Sequence, residues 1–405
     1  MPNYIPKNSN NLHATNEICI YDPLSRSWRT LKTNGTIPAR SLFPASCYHD
    51  HHLYTFGGQH GYPDEDPDFV EGNNNLLYCL NMVTQQWKLL ESDTSNVPLP
   101  CEKSLMIGYK HCLYLLGGYG DPPDEYHHNK PKFEVDPSTS YQWPRAWLGS
   151  LNRYNTKSKD WTLLKCSLSP RCGHAGDKMD QFWIIFGGCG LDGKLNDVHL
   201  YDFELDTWTC LDAGFRPPGL YYLERDIDDA GLVMNSHKKY PEPRSGHCLT
   251  YIGNQRFFLY GGIGMMNTPL NDAWILEVKK LDIEWIRYEL KYDHGPIRCL
   301  HVSCLVQDEV IIHSGCTQEF YTNRLELDDH AESTLHFQFD GTLKSLFKIA
   351  FEAVLNLDFH PLVLQELPLN LRNALEHRQN STEYARSLVK CGERVFSRSM
   401  MFSGL

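Results

Sequence analysis

Residues Trp183–Trp208, WIIFGGCGLDGKLNDVHLYDFELDTW, open with a short apolar run, break at a glycine pair, resume as an alternating segment and close on tryptophan. The unit recurs. A strand followed by two glycines is found as HLYTFGG at Gly57 and Gly58, CLYLLGG at Gly117 and Gly118, FWIIFGG at Gly187 and Gly188, and RFFLYGG at Gly261 and Gly262. A fifth copy, VIIHSGC, keeps only Gly315. The closing element repeats as well: Tyr21 to Trp28, Leu80 to Trp87, Tyr154 to Trp161, Tyr201 to Trp208 and Val278 to Trp285 share a spacing of seven across polar turns such as DPLSRS and DFELDT. Upstream of each glycine corner lies a basic residue, in RCGH (Arg171), RSGH (Arg244) and RCLH (Arg298), with Arg40 and Lys103 read as its counterparts in the other two copies.

A period of roughly 50 to 70 residues carrying four short strands and a tryptophan points to sheets arranged radially as a β-propeller. One such sheet cannot bury both its faces. Stacking sheets face to face does so, with glycines where backbones approach closely and tryptophans where neighbouring sheets meet. Counting units gives an incomplete first blade at 16–31, then blades 2 to 6 at 38–91, 99–165, 168–211, 241–289 and 296–340. The first unit has two outer strands, EICIYD and SWRTL, without a preceding inner strand or glycine pair. The expected fold is all-β: a six-bladed propeller with its first blade incomplete, followed by a small C-terminal α-helical box. The expected division is a polar tail at 1–15, the propeller at 16–340, and helices with a tail at 341–405.

Composition sets the outer limits. With 41% hydrophobic residues in 405, the chain can bury a large core. Its net charge of −12, from 50 acidic against 38 basic residues without a basic block, argues against nucleic acid as a partner. No apolar run approaches bilayer length, and Met1–Thr15 lacks the basic start and apolar middle of a signal peptide, so a cytoplasmic or nuclear protein with no membrane partner is expected. Fourteen cysteines, spread from Cys19 to Cys391 without a CxxC pair, read as reduced core thiols rather than a disulfide framework.

In a repeat fold, individuality sits in the insertions. Four are long: Gln59–Asn75, Tyr119–Trp147, Asp212–Tyr240 and Thr317–His330. The second, rich in aromatics and prolines, follows a glycine pair and is placed to wall a pocket. Beyond Phe339 the apolar period changes to that of a helix. GTLKSLFKIAFEAVLNL sets Leu343, Leu346, Phe347, Ala350 and Val354 on one face, and LPLNLRNALEHRQ starts a second helix at Leu367 and Pro368 with Leu371 and Leu375 a turn apart. On residues alone, these helices either cap the propeller's flank or serve a partner.

The repeats over 16 to about 340 resemble kelch repeats. SLFKIAFEAV resembles the elongin-binding box through Ser345, Leu346, Ala350 and Val354, with alanine where that box has cysteine, and a smaller group there weakens packing by ~1 kcal/mol. LPLNLRNAL resembles the cullin box through Leu367, Pro368 and Leu371. Propeller and boxes in this order resemble the kelch domain-containing substrate receptors of cullin-RING ubiquitin ligases. The resemblance implies elongin B/C and a cullin 2-type scaffold as partners, the C-terminal tails of substrate proteins as ligands, and no catalysis and no cofactor in this subunit. Carried over by motif, the family's pocket falls on Lys103, Tyr119, Trp147 and Ser245. Two carboxylate-binding arginines of the fourth blade are replaced by Cys189 and Lys194, and two pocket tryptophans by Gly246 and Leu300. Lysine keeps the charge without arginine's bidentate fork, so a wider, less cationic pocket is expected, with Arg216 of GFRPPG a candidate to restore charge. The chain's own end, Ser403–Leu405, is a candidate self-ligand.

The plainer readings are a lysine with a solvated tip at Lys103, Tyr119 packed on Pro122 or Pro123, and a kelch scaffold without a ligase role. The recurring Arg171, Arg244, Arg298, His174, His247 and His301 are read as framework, because residues shared by every blade serve the fold. HDHH at His49–His52 sits on a strand–turn–strand that splays its imidazoles, so no metal site is assigned, and no nucleophile with a sequence-marked base is found.

Overall fold

A strand buried on both faces has no polar side to show, and the runs before the glycine pairs are of this kind. In the computed structural model, which describes residues 16–339 apart from 24, 61–71, 93–95, 124–130, 140–143, 213–239, 289–295 and 318–332, they are the second strands of antiparallel sheets. Blade 2 comprises Ala45–His49, His52–Phe56, Leu77–Asn81 and Gln86–Leu89, and Asn34–Gly35 adds to its outer edge in parallel. Blade 3 comprises Leu105–Tyr109, Cys112–Leu116, Leu151–Asn155 and Asp160–Leu164. Blade 4 is Ala175–Met179, Phe182–Gly190, Gly193–Asp202 and Thr207–Asp212, and blade 5 is Cys248–Gly253, Arg256–Tyr260, Ala273–Lys279 and Asp282–Tyr288. Each has the meandering antiparallel order of a β-propeller blade. The described residues contain no α-helix. The tail at 1–15 and the helices expected in 341–405 lie outside the described residues.

Alternation within each second strand sends side chains to two cores. From blade 4, Trp183 and Ile185 pack with Tyr114, Leu116 and Leu151 of blade 3, whereas Ile184 and Phe186 pack with Leu259, Trp274 and Leu276 of blade 5. Blades 2 and 3 share a third core around Phe56, Leu77, Leu113 and Leu115. The outer-strand tryptophans lie at these seams: Trp161 meets Phe56 at 5.6 Å between ring centroids, and Trp285 meets Phe186 at 5.0 Å.

The tryptophan pairing holds in register for Tyr21 with Trp28, Leu80 with Trp87, Tyr154 with Trp161 and Tyr201 with Trp208. Blade 5 departs from the expected spacing. Trp285 is opposite Leu276, and Val278 is opposite Ile283. There the strands run on to Lys279 and Asp282 and turn through two residues only, so counting back by seven stops short of the true partner.

Each glycine pair is a left-handed corner. At blade 4, Gly187 has φ of 64° and Gly188 of 107°, and a Cβ on Gly187 would come within 2.9 Å of the Arg244 carbonyl oxygen. The Gly188 N–H donates to that same carbonyl at 2.9 Å, tying blade 4 to the residue that opens blade 5. Gly58, Gly118 and Gly262 repeat the bond to Cys101, Arg171 and Arg298. This geometry corrects one reading of the sequence. The counterpart of the three arginines in blade 3 is Cys101, not Lys103. In blade 2 the register of Ser41 with His60 and Leu42 with Gln59 makes it Ser41, not Arg40.

Arg171 donates to Gly187 O and to both carboxylate oxygens of Asp197, and Arg244 does the same with Gly261 O and Asp272. Each arginine therefore clamps its own blade's corner to its third strand. His174, His247 and His301 are buried against the preceding blade's first glycine. Burial and the adjacent arginine push His174 and His301 down to about 3, and His247 also lies well below the usual value.

The first hairpin, Ile18–Asp22 and Ser27–Leu31, belongs to a second compact unit with the three-stranded sheet Val302–Val306, Glu309–His313 and Leu335–Gln338. Within it the Tyr21 hydroxyl meets His336 Nε2 at 2.9 Å, and the Trp28 ring lies 4.0 Å from His313. Trp28 Nε1 donates to Thr334 Oγ1 at 3.3 Å.

Two outcomes follow from the clamps. Arg244→Met strands Asp272 and the Gly261 carbonyl, and should lower stability by about 3–5 kcal/mol in urea titrations. The histidines, neutral in the folded chain, bind protons in the unfolded chain below about 6.5, so stability should fall as pH drops from 7 to 5. Each histidine contributes up to ~1.4 kcal/mol per pH unit within that window, and His174→Gln should flatten the pH dependence of the urea midpoint.

Candidate functional site at the glycine corners

The residue after each glycine pair faces a residue from its own blade's opening segment. The pairs are Leu42 with Gln59, Glu102 with Tyr119, Cys172 with Cys189, Ser245 with Ile263, and Cys299 with Cys316. Immediately after the opening residue of each pair comes a left-handed position, occupied by Phe43, Lys103, Gly173, Gly246 and Leu300 with φ of 52°, 54°, 61°, 62° and 56°. Their backbones form a relay: Lys103 N–H donates to Phe43 O at 3.0 Å, Gly173 to Lys103 at 2.9 Å, Gly246 to Gly173 at 2.8 Å and Leu300 to Gly246 at 2.7 Å. Five repeats are thereby threaded along one edge. At Lys103, a side-chain-bearing residue is held in a conformation that costs of order 1–3 kcal/mol.

Around Lys103 the side chains form a charged and aromatic cluster. Its ammonium lies 3.4 Å from Glu102 Oε1 and 4.9 Å from the Phe43 ring centroid, and its side chain is 32% exposed. Arg145 approaches the same Glu102 oxygen at 3.6 Å and covers the Tyr119 ring at 4.8 Å. Tyr119 pairs across strands with Trp147, their centroids 5.8 Å apart, and its hydroxyl donates to Asp136 Oδ2 at 2.8 Å. Burial and this hydrogen bond raise the Tyr119 phenol, so it stays a neutral donor. Burial would raise Asp136, but bonds from the Ser138 hydroxyl and N–H and from Tyr119 outweigh it and hold the carboxyl below its ordinary value. The Trp147 side chain also lies close enough to Cys172 to favour its ionised form.

In the next repeat Cys189 is opposite Lys194 in a tight hairpin, and the Lys194 ammonium bonds Asn267 Oδ1 at 2.5 Å. Burial raises the Cys189 thiol, opposed by Lys194 and Lys103, with Asp136 acting in the same sense as burial. Ser245 exchanges backbone bonds with Ile263, and Leu300 leans over Gly246, where a Cβ would meet its Cδ2 at 2.9 Å.

Of the residues expected from sequence, Lys103, Tyr119 and Trp147 thus belong to one cluster, with Cys189 and Lys194 alongside. Ser245 lies one repeat further on. Arg216 falls outside the described residues, as do Ser345, Leu346, Ala350, Val354, Leu367, Pro368 and Leu371. Sequence reasoning missed Arg145, Glu102 and Asp136. Arg145 was within reach, since it precedes Trp147 by two in a segment already singled out, and alternate strand residues share a face. Three cations stand here against two carboxylates, in a chain whose net charge is −12. Elsewhere, His49 Nε2 meets the Lys110 carbonyl and His52 Nδ1 the Asp50 carbonyl, each at 2.6 Å. Among the described residues no three His, Cys, Asp or Glu side chains cluster to hold a metal.

Residues 7–143 match the family described as the KLHDC2/KLHL20/DRC7 Kelch-repeats domain. Over those residues the chain is similar to kelch repeats. It is 27% identical over 348 residues to kelch domain-containing protein 2 of Bos taurus, covering 84% of this chain and 76% of that one. It is 28% identical over 347 residues to kelch domain-containing protein 1 of Mus musculus, covering 83% and 76%. Tip elongation aberrant protein 3 of Schizosaccharomyces pombe is 25% identical over 270 residues, covering 63% of this chain and 21% of its own length.

Removal of the phenolic donor by Tyr119→Phe should raise the Asp136 pKa by up to about one unit, as read by carboxyl NMR titration.

Proposed function

We propose that this kelch protein is the substrate-recognition subunit of a cullin-RING ubiquitin ligase. It binds the C-terminal end of another polypeptide at the glycine corners and couples to elongin B/C and a cullin 2-type scaffold through its C-terminal boxes. The observation that carries the binding half is the Lys103–Arg145 pair beside the Tyr119–Trp147 wall. A chain-end carboxylate needs charged donors in a partly dry site with flat walls that exclude bulk, and these residues supply both.

The Glu102 contacts are long and shared, so Lys103 and Arg145 keep donors for an incoming carboxylate. Cys189, where the resembling receptors have arginine, lowers the positive charge. Gly246 and Leu300 in place of tryptophan leave a broader opening, which suits residues larger than glycine at the ligand's end. The coupling half rests on the sequence of the boxes and on the similarity to kelch domain-containing proteins 1 and 2. The same propeller would serve equally as a scaffold with no ligase, and the two readings part at the boxes.

A library of peptides with free C-termini should yield ligands whose affinity drops roughly 10- to 100-fold on C-terminal amidation, the loss of one charged hydrogen-bonding group. Arg145→Met should weaken the free acids about tenfold and leave the amides unchanged. Equal binding of acids and amides would reject chain-end recognition. Co-purification with elongin B and C should be abolished by Leu346→Asp, and association that survives this substitution would leave the scaffold reading.

A further inference from the structure

Cys172 and Cys189 face each other in an antiparallel bridge and exchange both backbone hydrogen bonds, each at 2.9 Å. Residues paired in this way have Cα atoms about 5.5 Å apart, inside the span a disulfide bridges without backbone movement. The Cys189 thiol is near enough to influence the ionisation of Cys172. Their exposure is unequal: Cys172 is buried and Cys189 half-buried at the corner, beside Lys194 and within the influence of Lys103. The position also lies against the candidate binding cluster, through Trp147 on Cys172 and Lys194 opposite Cys189.

The structure contains its own control. Cys299 and Cys316 form the same bridge in the equivalent place, with N–H···O bonds of 3.0 and 2.8 Å, but both are buried. Identical backbone geometry thus occurs once with an accessible sulfur and once without.

We infer that Cys172 and Cys189 form a reversible dithiol–disulfide site, oxidised by a low-molecular-weight disulfide such as glutathione disulfide. The Cys189 thiolate attacks the small disulfide and breaks its S–S bond, giving a mixed disulfide and one small thiolate, which takes up the proton released by Cys189. Cys172 then loses its proton and attacks the Cys189 sulfur, expelling the second small thiol. Two protein S–H bonds are exchanged for one protein S–S bond, and one small disulfide becomes two thiols. Burial raises Cys172 to about 12 and raises Cys189 too, so the first attack is slow. Lys103 acts on both sulfurs, and the greater exposure of Cys189 together with Lys194 makes it the starting sulfur. A cross-strand bridge of this kind belongs with strained, easily reduced disulfides. Any change in peptide capture that closing it brings rests on the function proposed above.

The test equilibrates the full chain in glutathione buffers from fully reduced to fully oxidised, traps free thiols by alkylation and maps disulfides by mass spectrometry. The expected result is a Cys172–Cys189 cross-link that forms under oxidising buffer and reopens with excess glutathione, while Cys299 and Cys316 stay alkylated. Cys189→Ser should leave Cys172 alkylated at every ratio, and Cys172→Ala should stop Cys189 at the mixed disulfide, with circular dichroism reporting that each variant is folded. Cys172 and Cys189 remaining free throughout, or Cys299–Cys316 closing first, would overturn the inference. Mapping decides the bond without reference to peptides. A cross-link in a chain that binds no C-terminal peptide in either state would count against the proposed function alone.

Discussion

The bond from the second glycine's N–H to the carbonyl of the residue opening the next blade is the constraint on which the rest of the structure depends. It recurs at Gly58, Gly118, Gly188 and Gly262 with lengths of 2.8 to 2.9 Å. It fixes where each new sheet begins relative to the last, and so which apolar faces meet. The first glycine of each pair must lack a Cβ, which would come within 2.3 to 2.9 Å of that same carbonyl at Gly57, Gly117, Gly187 and Gly261. The arginine clamps and neutral histidines then lock the corner from either side. The hydrophobic seams stabilise the stack, but the corners decide its geometry.

The repeat was legible because its marks are local. Glycine pairs, buried apolar runs and the tyrosine-to-tryptophan turn are each contained within a few residues, and four of the five tryptophan pairings stand in the register that spacing implied. The failures came where pairing over a distance decides. Trp285 takes Leu276 because blade 5 turns in two residues, which a count along the chain cannot reveal. Lys103 looked like an opening arginine by position, yet the Gly58 bond to Cys101 moves it two residues on, into the left-handed relay. Glu102, Arg145 and Asp136 come together only because the insertion's strands fold back beside Tyr119, and composition holds no trace of that.

That displacement gives Lys103 its interest. A blade-opening residue is buried and bound to its own third strand, as Arg171 and Arg244 are. A residue one step into the relay is half-buried at the corners, in the place that Gly173 and Gly246 leave without a side chain. The three cations gathered here carry charge opposite to that of the chain as a whole, and the attraction they exert on an anionic ligand weakens with added salt.

The contact of Tyr21 and Trp28 with His313, Thr334 and His336 unites strands about 300 residues apart in the chain. During synthesis, blades 2 to 5 can stack in turn as each leaves the ribosome, whereas the opening hairpin must wait for residues some 300 positions downstream. For that interval the hairpin lacks the partners it meets in the folded chain, and its pairing is among the slowest contacts to form.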